Sequence, residues 1–213
     1  FALALGGGCE VSMGADAIHS AAEVYTGLVE AGVGLIPAGG GSKEILIRQL
    51  QKMPPGGDPL PYLRRAFETI ALAKVSRSAL DAQQIGYFAV SDTFSMNTDR
   101  LVEDAKHVVL QMSKTYRQPQ PRKDILLTGR PGFAYLQVGI YLMREAGYIS
   151  EHDRKIGERI AWILTGGDLT QTTRVDEQFV LDLEREAFLS LLGERKTQER
   201  IQHMLKTGKP LRN

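Results

Sequence analysis

Cysteine, tryptophan and histidine are scarce in this chain: one Cys, one Trp and four His in 213 residues. The lone Cys9 excludes an internal disulfide and agrees with a reducing compartment, so a cytoplasmic protein is expected. His19, His107, His152 and His203 lack the spacing of a metal site, and structural roles are expected for all four. No apolar run reaches the roughly 18 residues that a membrane-spanning helix needs, and the opening residues do not read as a signal peptide. Neither sign of charge prevails: 26 Lys and Arg stand against 25 Asp and Glu, a net charge of +1. Nothing therefore points to nucleic acid or a membrane surface as partner. There is no internal repeat and no low-complexity tract. With 43% hydrophobic and 24% charged residues, the composition is that of a soluble globular protein able to bury a core.

What the chain does have is glycine next to carboxylate. The run Ala4-Leu5-Gly6-Gly7-Gly8-Cys9 leads directly to Glu10, and Tyr25-Thr26-Gly27-Leu28-Val29 leads to Glu30. Gly34-Leu35-Ile36-Pro37 and then Gly39-Gly40-Gly41 follow. Glycines opening a helix bring a ligand close to backbone N–H groups at the positive end of the helix dipole. A carboxylate on that helix, joined by a second from a later loop, supplies the acid and base that an enolate-forming reaction needs. Leu28, Val29 and Val33 flank Glu30, a setting that raises a carboxyl pKa when buried. Other chemistries fit poorly. A dinucleotide fingerprint starting at Gly6 needs glycine where Val11 stands, and a phosphate loop needs Gly-Lys-Ser where Gly41-Ser42-Lys43 stands. Cys9 has no base partner and reads as a buried small residue. The closing basic residues, from Arg195 to Arg212, alternate with Glu194 and Glu199 and read as a solvated helix face.

These blocks, in this order and with twenty positions between the two glutamates, resemble the crotonase (enoyl-CoA hydratase/isomerase) superfamily. The likeness is strongest over residues 1–48, continues through Ala79–Asp92 and is looser from Glu184 to Leu205. The chain has Val29 where the family commonly has proline, and Ala38 where it has glycine. The resemblance implies an α/β fold: the second half of a crotonase-like β-β-α superhelix, followed by an enlarged helical C-terminal region. It implies catalytic Glu10 and Glu30, an oxyanion-hole N–H from Gly7, and substrate contacts from Gly6, Gly8, Leu35, Pro37 and Gly39. The implied reaction is addition of water to a trans-2-enoyl-CoA, without a metal or redox cofactor. A sister activity, enoyl-CoA isomerisation, and a non-catalytic assembly role stay open. Entry on an apolar run without methionine reads as the middle of a fold, and the closing region resembles bacterial bifunctional proteins. The expectation is thus a C-terminal piece of a longer polypeptide that also carries an NAD-dependent 3-hydroxyacyl-CoA dehydrogenase. Its partners would be acyl-CoA and either further copies of itself or an upstream domain.

Two regions are expected: residues 1–112, the catalytic half with an insertion at 52–62, and residues 113–213, helical. Punctuation predicts a strand-like run over 1–5, a helix from Gly6 to Ala15, a strand from Ala17 to Ala21 and a loop from Val24 to Gly34. Helices are predicted over Ser42–Gln51 and Leu63–Lys74, and another starting at Ser78 with Asp81 and ending at Gly86. A one-stripe helix is predicted over Asp99–Lys114 and a surface crossing over 116–131. Two further helices should open at the capping pairs Ser150/Asp153 and Thr173/Asp176.

Overall fold

In the computed structural model, which describes residues 3–213, the opening apolar run forms β1 (Leu3–Leu5). Phe1 and Ala2, the start of the predicted run, lie outside the described residues. The glycine turn then starts α1 (Gly7–Met13), and β2 (His19–Ala21) occupies the end of the predicted 17–21 strand. The segment 24–34 is more ordered than the loop predicted for it. It contains β3 (Tyr25–Gly27), which pairs in parallel with β1, Leu3 opposite Tyr25 and Leu5 opposite Gly27. Three residues are too few to show a strand's alternation, which is why pattern alone misses it. Glu30 opens a turn of 3-10 helix, Glu30–Val33, closed by Gly34 in the left-handed region at φ 87°.

The helices that follow obey their caps and stripes. α2 (Gly41–Leu50) leaves the glycine cluster, and α3 (Leu60–Ala71) begins three residues before its predicted start, with Pro61 in its first turn. Leu63, Ala66, Phe67 and Ile70 form the buried stripe of α3. α4 (Ala79–Ile85) carries the predicted cap: the Ser78 side chain accepts from Asp81 N–H, and Gly86 ends the helix at φ 112°. β4 (Thr93–Ser95) pairs in parallel with β2.

α5 (Leu101–Met112) has the predicted stripe, but no residue of the helix is buried, and Val102 and Val109 are exposed. The crossing segment predicted for 116–131 contains β5 (Ile125–Leu127) and the start of α6 (Gly129–Glu145). α7 (Glu151–Thr165) opens on a full capping box between Ser150 and Asp153. Thr173 is not a cap. It belongs to β6 (Thr173–Val175), antiparallel to β5, and Asp176 caps α8 (Glu177–Leu192) by accepting from Phe179 N–H. The Thr-x-x-Asp spacing was a coincidence with the true cap one strand later. α9 (Arg195–Thr207) closes the chain.

The core centres on α7, which packs against α2, α3, α6 and α8. Ile156, Ile160, Ile163 and Leu164 of α7 are buried, as are Ile45, Leu63, Ile70, Val180 and Leu191 around it. Each such side chain contributes about 1.5–3 kcal/mol by leaving water. This rigid helical layer is the platform on which the α1, 3-10 and α2 segments bring the two glutamates together.

Candidate active site

Gly6 makes the first turn of the site. Its φ of 57° lies where side chains are rarely found, and a Cβ there would come within 3.2 Å of Glu30 Oε1. Its N–H donates to Gly27 O at 2.8 Å, tying the turn to β3, and its carbonyl accepts from Cys9 and Glu10 N–H to start α1. Gly7 and Gly8 are exposed, and a Cβ added at either would meet nothing within 4 Å. Cys9 points inward and is fully buried. Burial, helped by the charges of Glu30 and Glu10, pushes its thiol up to about 11, so it is an inert core residue.

The next residue on α1, Glu10, is held by the glycine cluster. Its Oε1 accepts from Gly39 N–H at 2.8 Å and from Gly41 N–H at 2.9 Å. A Cβ on Gly39 would fall 2.8 Å from Glu10 Oε2, and one on Gly41 would fall 2.8 Å from Oε1, so only glycine permits this approach. Ala38, the departure from the family pattern, needs no positive φ; among the described residues Ala73 alone has one without being glycine. Pro37 is buried, and its carbonyl accepts from Ser42 Oγ at 2.9 Å, which anchors the approach to α2.

Glu30 has the opposite environment. Its Oε2 is buried and has no hydrogen-bond partner. Burial foremost, with the nearby charge of Glu10, raises its carboxyl pKa to about 7. Tyr87 fixes the backbone leading to it: the buried hydroxyl accepts from Leu28 N–H at 3.3 Å and donates to Lys74 O at 2.7 Å. On the far side, Thr197 of α9 donates from Oγ1 to Gly34 O at 2.8 Å, closing the 3-10 turn.

Both glutamates line one cleft of about 550 Å³, with Ile36, Ala38 and Gly39 below and Leu181, Arg185, Phe188 and Leu189 of α8 above. Leu35 and Pro37, proposed from sequence as substrate contacts, are not part of this lining; nor are Gly6, Gly7 and Gly8, which lie beside it. The α8 contribution was invisible in the sequence, because a helix face becomes part of a site only through tertiary packing. Glu184, also on α8 and wholly buried, is a second functional candidate that pattern reading missed. Among the described residues no group of three or more His, Cys, Asp or Glu side chains is arranged to hold a metal ion.

Solved structures share this architecture. The carnitinyl-CoA hydratase of Mycobacterium avium superposes with a TM-score of 0.55 at 16% identity, over 98% of this chain and 59% of its own. The enoyl-CoA hydratase/isomerase of Pseudoalteromonas atlantica gives 0.54 at 13% identity, over 99% and 61%. The chain has the crotonase fold. No family model matches it. Sequence relatives of this crotonase-fold chain are long proteins. It is 46% identical, over all 213 residues, to a Bacillus subtilis protein named as a probable 3-hydroxyacyl-CoA dehydrogenase, and covers 27% of it. It is 28% identical over 204 residues to a Rickettsia felis protein named for a fatty acid oxidation complex trifunctional enzyme, and covers 25% of that one. The chain thus spans about a quarter of the length of these relatives. Among the described residues no helix is long and apolar enough to cross a membrane.

Proposed function

We propose that this crotonase-fold chain carries the catalytic carboxylates of an enoyl-CoA hydratase, which adds water reversibly and syn across a trans-2-enoyl-CoA to give a 3-hydroxyacyl-CoA. The observation that carries the reading is the pairing in one cleft of a carboxyl titrating at about 7, Glu30, with a second, Glu10, whose Oε1 is pinned by two backbone N–H groups. Pinning leaves Glu10 Oε2 for a water molecule. Glu10 takes a proton from that water as its oxygen bonds to C3. The π electrons of the C2–C3 bond move onto the thioester oxygen, and the resulting enolate takes a proton at C2 from Glu30. Solvent exchange then returns Glu10 and Glu30 to their starting protonation states, and one water has been added.

Gly7 is assigned as an N–H donor to the thioester oxygen by family resemblance and by its open flank. Loss of one such donor typically costs about 3 kcal/mol of transition-state stabilisation. The substrate brings its own coenzyme A. The step as written moves only protons and one water. On the names of the long relatives, we further propose that this region belongs to a longer polypeptide whose other part is an NAD-dependent 3-hydroxyacyl-CoA dehydrogenase. Residues 1–112 would then form the catalytic part and 113–213 its helical cover.

The test is hydration of crotonyl-CoA, followed by loss of absorbance of the conjugated thioester, on this chain and on a version extended upstream. Activity in either, abolished by Glu30→Gln, supports the reading. Folded protein silent in both sinks it. Glu10→Gln separates hydratase from isomerase, since a hydratase should lose about 10²–10⁴-fold and an isomerase relying on Glu30 much less.

A further inference from the structure

The first turn of α2 has four N–H groups that no acceptor within the helix can reach, and Gly40 at its N-cap has no side chain to serve them. Two glutamates from elsewhere in the fold serve three of them, Gly40, Gly41 and Lys43, and the preceding Gly39 as well, in alternation. Gly39 and Gly41 donate to Glu10, as described above, while Gly40 donates to Glu184 Oε2 at 2.9 Å and Lys43 N–H to Glu184 Oε1 at 2.6 Å. Glu184 is 0% exposed and reaches this turn from α8, so it acts as a capping residue supplied across more than 140 positions of sequence. The Lys43 ammonium does not pair with it; that group binds Glu44 at 2.8 Å and Glu177 at 2.9 Å. The backbone amides of the glycine turn are therefore what compensates the buried carboxyl.

The turn adopts φ 100° at Gly40, and its alternating N–H directions follow from that conformation. If Glu184 lets go, two buried donors lose their acceptor, and the cheapest relief is a rotation of the Gly39–Gly41 peptides. That rotation would move the very N–H groups that hold Glu10. The same face of α8 carries Leu181, Arg185 and Phe188 over the cleft, so Glu184 also fixes how this cover sits. The geometry points to Glu184 as a positioning residue of the active site: by holding Gly40 and Lys43 it sets the turn through which Gly39 and Gly41 orient the Glu10 carboxylate. This inference rests on the hydratase reading for its kinetic consequence but not for its structural one.

Electrostatics agree with the geometry. Burial first, and the charge of Glu10 after it, raise the Glu184 carboxyl to about 7 against the opposing pull of the two amides. Among the charged groups on the elements packed against it, Glu10 on α1 and Lys43 on α2 act on it.

Glu184→Gln tests the inference in the upstream-extended polypeptide, with crotonyl-CoA hydration and the amide signals of Gly39 and Gly41 as readouts. A glutamine keeps the shape but turns an NH2 toward one of the two N–H donors. We expect kcat to fall about 10–100-fold with KM unchanged within twofold, and the Gly39 and Gly41 amides to exchange faster with solvent. A folded variant with kcat within twofold of wild type, or with these two amides unchanged, overturns the inference. If the wild type shows no hydration, the hydratase reading fails and the amide readout alone decides the positioning role. If Glu184→Gln does not fold, the deciding measurement is the titration of the Glu184 carboxyl, by carbon NMR, in wild type and in Glu10→Gln. A lower midpoint in Glu10→Gln supports the shared turn, and an unmoved midpoint overturns it.

Discussion

Glu30 is a carboxylic acid whose inner oxygen water does not reach, and that fact determines what it can do at neutral pH. With its pKa lifted to about 7, chiefly by burial, a large share stays protonated where an ordinary glutamate is fully ionised. A general acid for hydration must start protonated, so kcat/KM for the hydration direction should fall as pH rises through about 7. A rate profile on crotonyl-CoA between pH 5 and 9 checks this; a flat profile would remove Glu30 from the acid role. Gly39 gives a second residue-level expectation. Gly39→Ala places a methyl 2.8 Å from Glu10 Oε2, so it should displace that carboxylate and cut kcat about 10²-fold while leaving the fold intact by circular dichroism. Glu10, Glu30 and the glycines were legible in the sequence because they stand in compact blocks, although it is across about thirty positions that Gly39 and Gly41 hold Glu10. Glu184 was not, because nothing within its own helix distinguishes it from a solvated glutamate until α8 packs on α2.

Among elements, the 3-10 turn carrying Glu30 is too short to be stable alone, and α9 holds it. Thr197 is fully buried and spends its one hydroxyl proton on Gly34 O, so its contact with His152 Nε2 at 2.9 Å requires the histidine to donate. That assigns the structural role expected for His152 and links α7, α9 and the turn in one chain of bonds. Thr197→Val preserves volume but strands Gly34 O and His152 Nε2, a loss of about 1–3 kcal/mol. It should appear as a lower denaturant midpoint together with a reduced kcat, because the turn it frees carries the proposed acid, Glu30; an unchanged midpoint would show the contact to be idle. Elements divide in legibility along the same line. Caps such as Ser78 and Ser150 declare a helix within four residues, whereas β3, β5 and β6 are three residues each and exist only through a partner strand.

For the whole molecule, two buried carboxyls with raised pKa values give the fold a direction of pH dependence. Glu30 and Glu184 each move from 4.5, the ordinary value, to about 7 in the folded chain. The unfolded chain ionises them sooner, so it binds fewer protons between those values and is favoured as pH rises. Their contribution to stability is fully present below about 4.5 and is lost as pH climbs through about 7. Each shift corresponds to something on the order of 3 kcal/mol as an upper bound, a large fraction of a typical domain's net stability. Replacing Glu30 with glutamine removes one ionisation, and its inner oxygen has no hydrogen-bond partner to lose. Replacing Glu184 is different in kind, because two backbone N–H groups depend on it. Denaturant titrations at pH 5 and pH 8 should therefore show Glu30→Gln more stable than wild type at pH 8, by on the order of 1–3 kcal/mol, and nearly equal at pH 5. The same variant should lack hydratase activity. A Glu30→Gln protein no more stable than wild type at pH 8 would mean that Glu30 ionises without cost in the fold, and the cleft would then lack the acid on which the proposed reaction depends.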